Sequence, residues 1–190
     1  TVKNATALNQ FLSIVSALSI PYYCGVGNND LGGGALADNL ETFRAVVGPD
    51  RMSFDHAGFL FVLLNTELWQ SSLAAEISAQ ETWLDGVWAG AAGKSAFVIG
   101  HHPLYIDAPA EPDTAYAVPT AYRTSLLADL AANNAVAYLS GHTHTTIVND
   151  YQGIQLVTSG ATCRNYDTTP LGFRLWHVSG EPPYESEWIA

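Results

Sequence analysis

Positive charge is scarce in this chain. Seven Lys and Arg stand against eighteen Asp and Glu among 190 residues, a formal net charge of −11. No basic stripe is present, which disfavours a nucleic-acid platform or an anionic-membrane surface. Cysteine is scarcer still. Cys24 and Cys163 are too few for a disulfide framework or a thiolate-rich zinc site, and Cys24, inside an apolar run, reads as a core thiol. No apolar run is long enough to span a bilayer, and no secretory leader is visible at Thr1. The chain opens in mid-helix pattern without Met, which places the expected natural start upstream and leaves the compartment open. Low-complexity segments and repeats are absent. With 48% hydrophobic and only 13% charged residues, the chain is expected to fold as one globular domain over 1–190.

What is present is an alternation of helix-period and strand-period segments. Leu8, Phe11, Leu12, Val15 and Leu18 share a helical face, as do Leu40, Phe43, Val46 and Val47 before Gly48-Pro49. Two further helices are expected around Ile77–Trp88 and Leu126–Leu130. Tyr22–Val26, Phe59–Asn65, Ala96–Ile99 and Val136–Leu139 read as buried strands, and Ser53–His56 as an edge segment. From residue 146 onward only strands are expected: 146–149, 154–158, 173–178 and 185–189, with a hairpin turn at Tyr151-Gln152-Gly153. Helix–strand alternation followed by a strand-only tail indicates a layered α/β or α+β sandwich with helices on the outer faces.

Polar residues suited to chemistry follow three of these strands. Gly27-Asn28-Asn29-Asp30 follows the first, Gly100-His101-His102-Pro103 the third, and Gly141-His142-Thr143-His144 the fourth. Ligand crevices of α/β sheets lie at the carboxyl ends of strands, and four of the six histidines gather at two such ends. In an extended segment His142 and His144 would point the same way. Imidazole nitrogens with amide or carboxylate oxygens suit Zn, Mn or Fe ions. One or two such ions would also offset the repulsion between an acidic protein and a phosphate ester. His56 and His177 lie outside the three loops and read as structural.

In this order the loops resemble the Gly-Asn-His-Asp, Gly-His-His-Pro and Gly-His-x-His motifs of the calcineurin-like metallophosphoesterase superfamily, in its purple acid phosphatase-like and serine/threonine phosphatase-like branch. Gly48-Pro49-Asp50, Phe61–Asn65 and Thr82-Trp83-Leu84 are similar as well. The resemblance implies a four-layer sandwich of two β-sheets flanked by helices. It also implies a metal-dependent hydrolase of phosphate mono- or diesters that uses metal-activated water on a small phosphate-ester substrate.

Carried onto this chain, the resemblance makes Asn28, His101 and His142 ligands of one metal and His144 a ligand of another. Asn29 falls in a catalytic position, and His102 beside it is read as catalytic too. Arg164, by the suitability of a guanidinium for phosphate, is read as a substrate contact, with a solvated surface Arg as the alternative. Asn29 replaces the family's His, so it can donate a hydrogen bond but cannot serve as a general acid. That departure tilts the expectation toward diesters and leaves Asp30 to cap its own turn. No Asp-x-His triplet and no Gly-Asp pair occurs in the chain, so the family's N-terminal ligand motifs are missing from it. The expectation is either a cleaved or missing N-terminal piece or a homo-oligomer that covers the exposed sheet edge. The competing expectation is a degenerate metal- or phosphate-binding or interaction module of the same fold.

Overall fold

A computed structural model describes residues 4–32, 37–178 and 184–190. Its main sheet has six strands in the order β1-β2-β3-β4-β6-β5. These are β1 (Met52–His56), β2 (Phe59–Leu63), β3 (Ala96–Ile99), β4 (Ala135–Ser140), β5 (Ile147–Tyr151) and β6 (Ile154–Thr158). The four central strands β2, β3, β4 and β6 run parallel, whereas the edges β1 and β5 are antiparallel to their neighbours. Burial follows from position. β3 and most of β4 are covered on both faces and read as unbroken apolar runs, whereas edge strand β5 alternates half-buried and exposed residues.

Helices α3 (Ala37–Val46), α4 (Ala74–Gly90) and α5 (Thr120–Ala132) contribute Leu40, Phe43, Ile77, Leu84, Trp88, Leu126 and Leu130 to the larger core. A second sheet, β7 (Phe173–His177) with β8 (Glu185–Ile189), joins a smaller core. There Trp176 and Tyr184 meet Phe97, Val136 and Ala137. The expected pair of β-sheets with flanking helices is therefore what forms. An aromatic ladder crosses β1, β2 and β3. Phe54 and Phe61 stack with centroids 5.1 Å apart, and Phe61 and Phe97 at 5.4 Å, because register places each pair side by side. No helix among the described residues is long and apolar enough to cross a membrane.

Two local readings are corrected. Tyr22–Val26 is not a strand: it joins no ladder among the described residues, and Tyr23 instead lies flat on Phe54, 3.9 Å between centroids. Apolar content alone does not make a strand without a backbone partner. The Gly27–Asp30 loop is wound into one helical turn, α2 (Asn28–Leu31), because the Asp30 carboxylate accepts the Gly27 N–H at 3.1 Å. This is the turn-capping role expected of Asp30. The β5–β6 hairpin closes through Gln152 and Gly153, both at positive φ (56° and 86°), as a two-residue turn requires. His56 is exposed on β1, and His177 pairs with Glu187 at the surface.

Candidate metal centre

The carboxyl ends of β2, β3 and β4 open onto one cleft, with a volume of about 280 Å³. Asn28 from α2, Glu67 from the segment after β2, His102 after β3 and His142 after β4 line it, with Ala115 and Tyr116 from the 107–118 loop. Three polar atoms meet at its edge. Asn28 Oδ1 lies 3.1 Å from His101 Nε2, and His142 Nδ1 lies 3.0 Å from the same nitrogen.

The tautomers follow from the partners. Ala115 O can only accept, so at 2.9 Å it takes the Nε2–H of His142 and leaves Nδ1 with a free lone pair. His101 Nε2–H is then the one proton shared between two acceptors, Asn28 Oδ1 and His142 Nδ1. A proton thus sits where the lone pairs of an amide oxygen and two imidazoles would face a cation. Spacings of about 3 Å between such atoms are those of neighbouring ligands around an ion at about 2.1 Å. The Ala115 carbonyl supplies the outer hydrogen bond that holds a ligating imidazole in one orientation.

Burial, followed by the neighbouring rings His142 and His144, lowers the proton affinity of His101 to about 4. His142 is lowered as well, by burial and then by His144, with the Ala115 carbonyl opposing. Both rings are therefore neutral near pH 7, the form that binds metal. Gly27 is required here by close approach. A Cβ at that position would lie 3.0 Å from Cε1 and Nδ1 of His101.

His144 stands apart from this trio. It shares no hydrogen bond or ring contact with the other three among the described residues, and its ring stacks on Tyr166 with centroids 5.4 Å apart. Its Nδ1 is buried without a hydrogen-bond partner among the described residues, an orphaned acceptor or donor of the kind a cation or bound group satisfies. Nor are His142 and His144 alternate residues of an extended segment. Both have left-handed backbones, φ 70° and 56°, because the chain bends sharply as it leaves β4. Among the described residues, no three His, Cys, Asp or Glu side chains are grouped closely enough to hold a metal by themselves. The convergent set depends on the Asn28 amide. Asn29 is exposed on α2 and lies outside the residues lining the cleft. Arg164 is exposed too, stacked over Tyr166 at 4.7 Å, in a column that ends on His144.

His102 is buried, with 2% of its surface exposed. The Thr66 hydroxyl accepts the backbone N–H groups of His101 and His102, at 3.2 and 3.1 Å. Both lone pairs being used, its single proton goes to His102 Nδ1 at 3.1 Å. His102 is consequently the Nε2–H tautomer. Burial first, then His142 and His101, lowers its proton affinity to about 3, so it is a neutral donor at the cleft wall. Tyr138 Oη donates to His102 O at 2.7 Å and pins the loop from below.

The residues that sequence reasoning missed cluster after β2. Asn65, Thr66 and Glu67 are each 0–1% exposed. Gln80 of α4, itself fully buried, grips this segment by accepting the Asn65 N–H at 2.9 Å and donating to Asn65 O at 3.2 Å. The 107–118 loop that carries Ala115 is anchored by Arg123. Its guanidinium donates to Glu111 O at 2.5 Å and to Thr120 Oγ1 at 2.6 Å. A carboxylate two residues past an apolar strand was a readable signal for Glu67. The grips from α4 and α5 have no local signature.

The chain is similar in sequence to proteins named serine/threonine-protein phosphatases and in fold to a dimetal phosphatase. It is 30% identical over 169 residues to human serine/threonine-protein phosphatase CPPED1, covering 86% of this chain and 54% of the relative. The mouse protein of that name is 30% identical over 167 residues, 85% of this chain and 54% of the relative. In zebrafish the figures are 30% over 156 residues, 79% and 50%. The chain thus spans about half the length of the curated relatives it matches. A solved dimetal phosphatase from Danio rerio shares the fold, with a TM-score of 0.53 and 15% identity over 82% of this chain and 66% of that one. No protein-family profile matches the chain.

Proposed function

We propose that this chain hydrolyses phosphate esters at the cleft between β2, β3 and β4, with Asn28, His101 and His142 as the protein's ligands to a metal ion. The observation that carries this reading is the approach of Asn28 Oδ1 and His142 Nδ1 to His101 Nε2, at 3.1 and 3.0 Å. His144, whose buried Nδ1 has no hydrogen-bond partner among the described residues, is the side chain available to a second ion. Bound metal ions supply positive charge for the phosphoryl oxygens and lower the proton affinity of water so that it attacks at neutral pH.

The remaining roles belong to the chain's own groups. His102 Nε2–H, neutral and fixed by Thr66, can donate a hydrogen bond to a phosphoryl oxygen. Ala115 O keeps His142 oriented, and Tyr116 walls the cleft beside it. Asn29, at the surface, takes no part in this cleft. The relatives are named serine/threonine-protein phosphatases, which favours monoesters of hydroxyl side chains; the replacement of a family His by Asn29 favours diesters.

The test loads the purified chain with Mn²⁺, Zn²⁺ or Fe²⁺ and follows p-nitrophenyl phosphate and bis(p-nitrophenyl) phosphate side by side. Hydrolysis of either ester that is lost in His101→Ala supports the reading. Less than one equivalent of bound metal together with no hydrolysis overturns it and leaves a binding module of the same fold.

A further inference from the structure

Glu67 is the one carboxylate among the described residues that line the cleft, and the phosphoesterase reading as stated gives it no task. It is 1% exposed, and its Oε1 is buried without a hydrogen-bond partner among the described residues. It occupies the N-cap position of the helical turn Leu68–Gln70, yet its side chain makes no capping bond. A carboxylate there would ordinarily take the free N–H groups of the turn. Instead it faces the space shared with Asn28, His102 and His142.

His102 Nδ1 lies 3.5 Å from Glu67 Oε1. The spacing resembles an ion pair but is not one. That nitrogen accepts the Thr66 proton and presents a lone pair, so an ionised carboxylate beside it would meet repulsion. No Lys or Arg pairs with Glu67 among the described residues. A buried carboxyl facing a lone pair, with no Lys or Arg among the described residues to hold its charge, keeps its proton.

We propose that Glu67 is the proton donor to the leaving oxygen of the phosphate ester, the role that the exposed Asn29 cannot fill. In this step water adds to phosphorus while the bond from phosphorus to the ester oxygen breaks. The departing oxygen takes the Glu67 carboxyl proton and leaves as the alcohol. The attacking water loses its proton to solvent, and the Glu67 carboxylate recovers one from solvent. The groups bearing on Glu67 are His102 and, through space, Asp30. Burial first, and then the Asp30 charge, raises its proton affinity to about 7, so the acid form is present near neutrality. The proposal rests on the phosphoesterase reading but is separable from it.

The test compares wild type with Glu67→Gln, an isosteric change that keeps the side chain neutral and removes the transferable proton. In the metal-loaded protein, the variant's loss should grow with the basicity of the leaving alcohol. It should reach about 100-fold for an alkyl phosphate and stay about tenfold smaller for p-nitrophenyl phosphate. The alkaline limb of the wild-type pH–rate profile should vanish in the variant. Independently of turnover, the infrared spectrum of the metal-free protein should show a protonated-carboxyl band at pH 6 that titrates away at alkaline pH and is absent in Glu67→Gln. Equal losses for both esters, a retained alkaline limb, or an ionised Glu67 at pH 6 would each overturn the proposal. If wild type hydrolyses neither ester, the phosphoesterase reading fails, and the infrared arm still decides whether Glu67 holds a proton.

Discussion

Glu67 and the histidines around it titrate in opposite senses, which gives the metal-free protein a distinctive dependence of stability on pH. An exposed imidazole takes a proton near pH 6.5, whereas His101 resists until about 4 and His102 until about 3. As pH falls through 6.5, the unfolded chain binds protons that the folded chain refuses. Stability is therefore full above 6.5 and is lost on the way down to the folded values. His142, lowered in the same direction, adds to this loss. Glu67 behaves inversely. Folded, it binds its proton at about 7, against 4.5 for an exposed carboxyl. Its contribution is present below 4.5 and lost as pH rises through 7.

A tenfold change in proton affinity is worth about 1.4 kcal/mol, so at pH 5 each of His101 and His102 withdraws about 2 kcal/mol relative to pH 8, while Glu67 returns about 2.5 kcal/mol. Wild type should consequently be nearly level from pH 8 to 6 and decline below that. Glu67→Gln lacks the returning contribution. Its stability should begin to fall near pH 6.5 and by pH 5 have dropped about 2–3 kcal/mol further than wild type. Urea denaturation across pH 4.5–8.5 measures both curves. Parallel curves for the two proteins would refute the argument, since they would mean that Glu67 is ionised in the fold.

Other perturbations have equally specific outcomes. Gly27→Ala places a methyl 3.0 Å from the His101 ring and should weaken Zn²⁺ or Mn²⁺ binding at least tenfold, read by calorimetric titration, with the far-ultraviolet circular dichroism unchanged. Gln80→Ala removes two buried hydrogen bonds to the Asn65 backbone and leaves both groups unpaired. It should cost about 2–4 kcal/mol in urea denaturation, and amide exchange should quicken first at residues 65–67. Arg123→Met strips the anchors of the 107–118 loop. Proteolytic nicking in that loop should follow, together with weaker metal binding as Ala115 O releases His142.

Much of this arrangement was legible from local pattern. Fully apolar runs marked β3 and β4, and the polar residues immediately after them landed at the cleft because parallel strands deliver their carboxyl ends to one side. The Gln152-Gly153 hairpin was equally readable from turn chemistry. Tyr22–Val26 misled because an apolar run registers hydrophobicity and not whether a backbone partner exists. The alternation of His142 and His144 suggests an extended segment, whereas the chain bends there into left-handed geometry. Motif resemblance puts Asn29 in the chemistry, whereas a single turn of helix, wound by Asp30, carries it to the surface. What could not be read at all was long-range. Gln80 reaches fifteen residues back to Asn65, and Thr66 sets the His102 tautomer across thirty-six residues. Such choices exist only once the sheet has assembled.

The central claim is that Asn28 Oδ1, His101 Nε2 and His142 Nδ1 are directed at one cation. Anomalous diffraction from crystals of the chain soaked in Mn²⁺ or Zn²⁺ tests it most directly. The account predicts a peak at the shared point of the three atoms, about 2.0–2.2 Å from each. No peak there at millimolar metal, or ions bound only at surface carboxylates, would contradict it.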